Sequence, residues 1–509
     1  MDKIQTLEMR DISKTFATVE ANKNVDLQVN AGEIVGLLGE NGAGKTTLMN
    51  ILYGLYQPDS GQILINGKPV SIRSPKDSME FGIGMVHQHF MLVQNHTVAE
   101  NIILGYSESP FFFPLRSIKN TIKEFSRKYG FAVDPDTMVW QLSAGQQQRV
   151  EIVKTLLLGA DLLIMDEPTS VLTPPEIREL FTILLSMRKE GHGIILISHK
   201  LEEIMEICDR AVVLRKGASA GSTPIGEVSK KDLARMMVGR DVIFNFNRKK
   251  MEKGKEILQV KDLSVKGDRG ETAVRNVSFT VREGEIFGIA GVSGNGQREL
   301  AEAITGLRRC EEGTVTAEGK EITNSSARKV HDMGITHVPE ERIKFGIIPN
   351  LFLYDNAVLK QHHCRPFSNL LFLDYPVIHD YAKGIVSDYQ VSTPSIFARM
   401  KALSGGNIQK LILGREISGN PKLLIAAHPT YGLDVGATEY IRNQLLSLRE
   451  QGGAVFLVSE DLEEIYELCD RTAVMFSGKF MGIVKPEKTK IDEMGLMMAG
   501  SLQKSIEGY

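Results

Sequence analysis

Ten residues, Gly39 to Leu48 (GENGAGKTTL), combine the groups that hold a phosphate chain. Gly39, Gly42 and Gly44 let the backbone curl, with Glu40, Asn41 and Ala43 between them, until its N–H groups converge on one point. Lys45 can reach outer phosphates, and the hydroxyl of Thr46, followed by Thr47, can hold Mg²⁺. The apolar run before the loop, Ile34 to Leu38, has the length of a buried strand. After it, Leu48, Ile51, Leu52 and Leu55 fall on one face of an expected helix. Strand, glycine-rich loop, Lys-Thr and helix together predict a nucleotide-phosphate site.

Further along come groups that such a site uses. In LSAGQ, Ser143 and Gly145 stand where a helix would begin, so a hydroxyl and bare N–H groups could receive phosphate oxygens. Taken alone, that segment reads as a helix cap. LLIMDEPTS then ends an apolar strand on Asp166, a carboxylate suited to holding Mg²⁺, with Glu167 beside it as a base for water. LISHK places His199 after another apolar strand, where an imidazole could contact the terminal phosphate.

The elements that must position these groups recur along the chain, because it is written twice. GLLGENGAGKTTL from Gly36 answers GIAGVSGNGQREL from Gly288, a shift of 252 residues. Leu142 (LSAGQQQ) answers Leu403 (LSGGNIQ), and Cys208 answers Cys469, both at 261. Gln88 and Glu340 still differ by 252, so nine extra residues of the second copy fall between Glu340 and Leu403. Short apolar runs alternate with helical patterns in the last third of each copy, as in parallel βαβ units. The expected division is a first domain at 1–245, a polar basic linker at 246–256 and a second domain at 257–509.

At 509 residues, 42% hydrophobic and 24% charged, the chain can bury two sizeable cores. A net charge of −3 gives no electrostatic case for nucleic acid. Asp2, Gln5 and Glu8 interrupt any apolar start, so no secretory signal is expected. No run of 18 apolar residues offers a membrane span. Four scattered cysteines suit buried thiols in a reducing compartment, with Cys208 and Cys469 expected to pack in the cores. His87 with His89, and His362-His363-Cys364, read as ordinary loop residues rather than metal ligands. Phe111-Phe112-Phe113 reads as a local core or a partner contact.

The phosphate loop, Gln88, LSAGQ, LLIMDEP and LISHK, in that order, resemble the motifs of ATP-binding cassette (ABC) ATPases, and the resemblance covers both halves. It implies two tandem α/β P-loop domains, each with a parallel-sheet core, an antiparallel β subdomain and a helical subdomain. It also implies ATP and Mg²⁺, with Thr46, Gln88 and Asp166 as metal-side groups and Glu167, His199 and Gln88 as catalytic ones. Phe16 would stack on adenine. Each site would join one half's phosphate loop to the other half's signature, so Lys45 would share its ATP with Ser404, Gly405 and Gly406.

The second half departs from this pattern. Lys45, Thr46 and Thr47 become Gln297, Arg298 and Glu299; Asp166 and Glu167 become Ala427 and His428; Gln88 and His199 become Glu340 and Glu460. One hydrolytic site and one weak or structural site are expected. VPEER, LSGGNIQK and PTYGLDVGA resemble the fused ATPase subunits of bacterial sugar and nucleoside importers, and GMVHQHFMLV resembles the nucleoside, lipoprotein-associated branch. That resemblance implies two transmembrane permease subunits, a solute-binding protein outside the cell, and a peripheral place on the cytoplasmic face. A ribose- or galactose-type importer is the alternative. A soluble translation factor is a rival from another class, disfavoured by the short linker and the missing basic surface.

Overall fold

The computed structural model describes residues 3–16, 19–87, 90–104, 115–129, 133–169, 172, 174–198, 200–241, 254–369 and 372–504. The chain divides into two compact units, Met1–Val242 with Asp434–Gly436, and Ile243–Leu433 with Ala437–Tyr509. Of the expected linker, 246–253 lies outside the described residues, and Glu256 already opens a strand that runs to Lys266.

In the first unit, the Ile34–Leu38 strand is wholly buried because all five residues lie inside a parallel sheet. It pairs in parallel with Gly193–Ile197 on one side and Arg210–Arg215 on the other. Leu162–Asp166 and Ile83–Val86 continue the sheet in parallel, and Ala218–Pro224 closes the far edge antiparallel. A separate antiparallel sheet holds Thr6–Phe16, Val19–Asn30, Ser60–Ile65 and Lys68–Val70. Helices Val98–Ile103, Leu115–Tyr129 and Ala144–Leu157 make the helical part.

The second unit repeats the scheme. Ile286–Ala290 lies parallel between Ala454–Ser459 and Arg471–Phe476, with Leu423–Ala427 and Ile335–Val338 beyond, and Lys479–Val484 antiparallel at the edge. Both central strands are tied down by the same bond: Ile34 N donates to Asp209 Oδ2 and Ile286 N to Asp470 Oδ2, each at 2.9 Å. Cys208 and Cys469 are buried against these strands, as their repeated position predicts. A methyl at Gly36 would stand 3.2 Å from the Cys208 sulfur, and one at Gly288 2.6 Å from that of Cys469. The small residue and the thiol fit each other in both units.

One expectation is revised and one is made finer. The helix after the phosphate loop ends at Leu52, not Leu55. Gly54 turns the chain with φ +80, and Leu55 is exposed. The surplus of the second half also falls in two places. Asn101 and Asn356 do one job: their side chains bridge N–H and C=O of Val93 and of Ile348 respectively. Those pairs stand at a shift of 255 residues, so three extra residues precede Ile348. The bridges Thr97–Met138 and Phe352–Arg399 then place the other six between Asn356 and Arg399. Arg342–Gly346, in the stretch between Glu340 and Ile348 that holds the first three, forms a π-helical turn, the kind of irregularity often found at functional sites.

Candidate functional site

The phosphate loop closes on its own groups. Gly44 takes φ +98 before the Lys45–Leu52 helix, and a methyl there would sit 2.2 Å from Ala21 O, so only glycine fits. Lys45 Nζ donates to Gly39 O at 2.7 Å and to Glu40 O at 3.1 Å. Burial lowers the Lys45 pKa, while Glu167 and Asp166 hold it up. Asn41, Gly42 and Thr46 are exposed at the mouth, with Thr47 half-buried beside them. Phe16 is exposed at its strand end, its ring edge against Tyr56 with centroids 5.2 Å apart.

Asp166 ends the Leu162–Asp166 strand, and Glu167 follows with φ +46, its N–H bonded to Ile197 O at 3.0 Å. Burial and the neighbouring Glu167 raise Asp166 to about 6, against the pull of Lys45. Two carboxylates near one buried ammonium make an electrostatically unrelieved site, which a divalent cation would balance. Gln88 and His199 lie outside the described residues.

In the second unit the same backbone carries other side chains. Gly296 takes φ +103 against Ala273 O, as Gly44 does against Ala21 O. Gln297 Nε2 donates to Val292 O at 3.0 Å, the carbonyl that answers Glu40 O. Arg298, in place of Thr46, turns to Glu302 at 2.8 Å. His428 repeats the left-handed turn of Glu167 with φ +45, its N–H bonded to Val458 O at 2.8 Å. Burial lowers its pKa, with Glu460 opposing. By position, then, the carboxylate and imidazole of Glu167 and His199 are exchanged in His428 and Glu460.

Sequence reading missed a pair of buried carboxylates that brace these turns. Glu203 accepts from Thr169 Oγ1 at 2.5 Å and Ser198 Oγ at 3.0 Å; Glu464 accepts from Thr430 Oγ1 at 2.8 Å and Ser459 Oγ at 2.7 Å. Their recurrence at the shift of 261 residues is the signal that could have revealed them.

The signature serines cap their helices. Ser143 Oγ accepts from Gln146 N at 3.3 Å, and Ser404 Oγ from Asn407 N at 3.5 Å. The two surroundings differ in sign. A methyl at Gly145 would meet Glu176 Oε1 at 2.4 Å, and Ser143 Oγ donates to that oxygen at 3.4 Å. A methyl at Gly405 would instead meet Arg342 Nη2 at 3.1 Å, and one at Gly406 the Ala437 methyl at 3.4 Å.

A profile of the ABC transporter family matches residues 22–170 and, again, 274–431. The chain belongs to the ABC transporter family. This tandem-cassette ATPase is 48% identical, over 98% of each chain, to a protein of Bacillus subtilis named guanosine import ATP-binding protein. It is 46% identical to a nucleoside import ATP-binding protein of Lactococcus lactis, over 97% of this chain and 98% of that one. A glucose import ATP-binding protein of Haloferax volcanii is 45% identical, over 97% of this chain and 96% of the other.

Proposed function

We propose that this cassette ATPase powers a nucleoside importer from one competent ATP site. The observation that carries the reading is the grouping of Lys45, Asp166 and Glu167 in the first unit, set against Gln297, Ala427 and His428 on the same backbone in the second. Lys45 and the N–H groups of Gly39 to Thr47 bind the phosphates, Glu167 takes a proton from the attacking water, and His199 and Gln88 orient water and outer phosphate. Thr46 and Asp166, with Gln88, would hold Mg²⁺, which supplies charge neutralisation on the phosphates. Ser404, Gly405 and Gly406 complete the site when the halves pair, and Phe16 packs on adenine.

The partners in this reading are two permease subunits and an external solute-binding protein. The cassette would sit peripherally on the cytoplasmic face; no helix among the described residues is long and apolar enough to cross a membrane. Nucleosides are favoured as the solute by the guanosine and nucleoside import relatives and by the GMVHQHFMLV stretch. A sugar reading is favoured by the glucose import relative. Uptake of labelled guanosine and labelled ribose, in cells carrying the chain or its Lys45→Ala variant, separates them. Guanosine uptake that requires Lys45, with ribose unaffected, is expected; ribose uptake alone would move the chain to the sugar branch.

A further inference from the structure

We propose that Glu151 is a positioning residue for ATP hydrolysis, clamping the chain three residues after Gln88 in the first unit. The inference rests on the reading above, in which Gln88 orients water and outer phosphate.

Glu151 and Lys154 stand three apart on the Ala144–Leu157 helix, so they share a face. Both reach the main chain of Met91. The Met91 N–H donates to the Glu151 carboxylate, and Lys154 Nζ donates to Met91 O at 3.5 Å. The Met91 side chain is 62% exposed, so packing does not hold this point of the chain. Its two polar backbone groups do. On the other side of Gln88, the His87 ring meets Tyr53 edge-on, with centroids 5.7 Å apart. The chain is thus held on both sides of Gln88.

A carboxylate is a costly choice for this place. Glu151 is 4% exposed, and burial raises its pKa against the pull of Lys154 and the Met91 N–H. Its Oε1 has no hydrogen-bond partner among the described residues.

The second unit shows that packing does not require it. Glu151 is answered at the shift of 261 residues by Ile412, and Met91, at the shift of 255, by Gly346. A methyl at Gly346 would stand 2.6 Å from Ile412 Cδ1, so the two positions meet there too, through an apolar side chain. Arg415, which answers Lys154, turns to Glu416 at 2.9 Å and to Asn356 O at 3.2 Å. Pro339 and Thr305 stand in place of His87 and Tyr53. By contrast, the Asn101 bonds to Val93 recur in full between Asn356 and Ile348. The part that recurs shapes the fold. The part that does not recur goes with Gln88, whose place Glu340 takes.

The test is steady-state ATP hydrolysis by the full chain carrying Glu151→Ile, which copies Ile412. Its kcat should fall about tenfold while the KM for ATP changes less than about twofold, because the Lys45 contacts stay in place. Thermal melting should not be lowered, since an apolar side chain fits the same place in the second unit. Glu151→Gln keeps an acceptor for the Met91 N–H and should retain most of the parent rate. In a Gln88→Ala chain, Glu151→Ile should cost nothing further, because it acts through Gln88. Lys154→Met removes the other jaw and should lower kcat about threefold; it is the probe if the isoleucine variant does not fold. An unchanged kcat, a loss that tracks a lower melting temperature, or an equal loss in the Gln88→Ala chain would overturn the proposal. Gln88→Ala or Lys45→Ala chains that hydrolyse ATP at the parent rate would instead refute the competent-site reading.

Discussion

At Lys45 and at Gln297 the side chain folds back onto the loop's own carbonyls, Gly39 O and Glu40 O in one half and Val292 O in the other. The left-handed glycines Gly42 and Gly44, matched by Gly294 and Gly296, the strand anchors at Asp209 and Asp470, and the left-handed Glu167 and His428 are equally shared. What differs is charge. The first half gathers a buried ammonium and two carboxylates; the second has an amide, a methyl and an imidazole in their places. The loop's shape is set by backbone sterics and strand packing, and it persists where the ammonium and the carboxylates are replaced. Shape alone is then no proof of catalysis.

The comparison breaks most readily at the lysine. Lys45→Ala should lower ATP hydrolysis by the full chain by roughly a hundredfold or more, while Gln297→Ala changes it by less than about twofold. Steady-state phosphate release measures both. Comparable losses in the two variants would mean that the second loop also binds a working nucleotide.

A smaller effect sharpens the contrast between signatures. Ala437→Glu would give the second signature the carboxylate that Glu176 gives the first. ATP retention in the Glu167→Gln background should weaken about tenfold, from like-charge repulsion. Equilibrium binding of labelled ATP reads the change directly.

The smallest effect concerns a half-buried, cavity-lining group found in one half only. His337 lines a cavity of about 730 Å³ in the second unit, and its counterpart at the shift of 252 residues is Met85. Burial, then the nearby Lys360 ammonium, lower His337 from 6.5 to about 4, against the opposing pull of Glu416 and Glu302. The unfolded chain therefore binds the extra proton first, and stability falls as pH drops from 6.5 towards 4. Thermal melting of His337→Met across that window should show a weaker acid dependence than the parent chain.

Much of this was legible in the sequence, for reasons that differ by element. The apolar runs at Ile34, Leu162 and Ile194 announce buried parallel strands because a strand covered on both faces has no polar positions. The loop and carboxylate motifs are legible because their chemistry is local in the chain. Glu176 and Arg342 were not, since they reach the signatures across 33 and 63 residues that only the fold brings together. Leu55 was misplaced because periodicity continued past Gly54, where the backbone turns. The division of the nine surplus residues needed the Asn101 and Asn356 bonds to reveal it.

Counting the nucleotide retained by the full-length Glu167→Gln chain tests the asymmetry most directly. One tightly held ATP per chain is expected, lost on Lys45→Ala and kept on Gln297→Ala. Two equally tight ATP molecules, with one surviving the loss of Lys45, would contradict it.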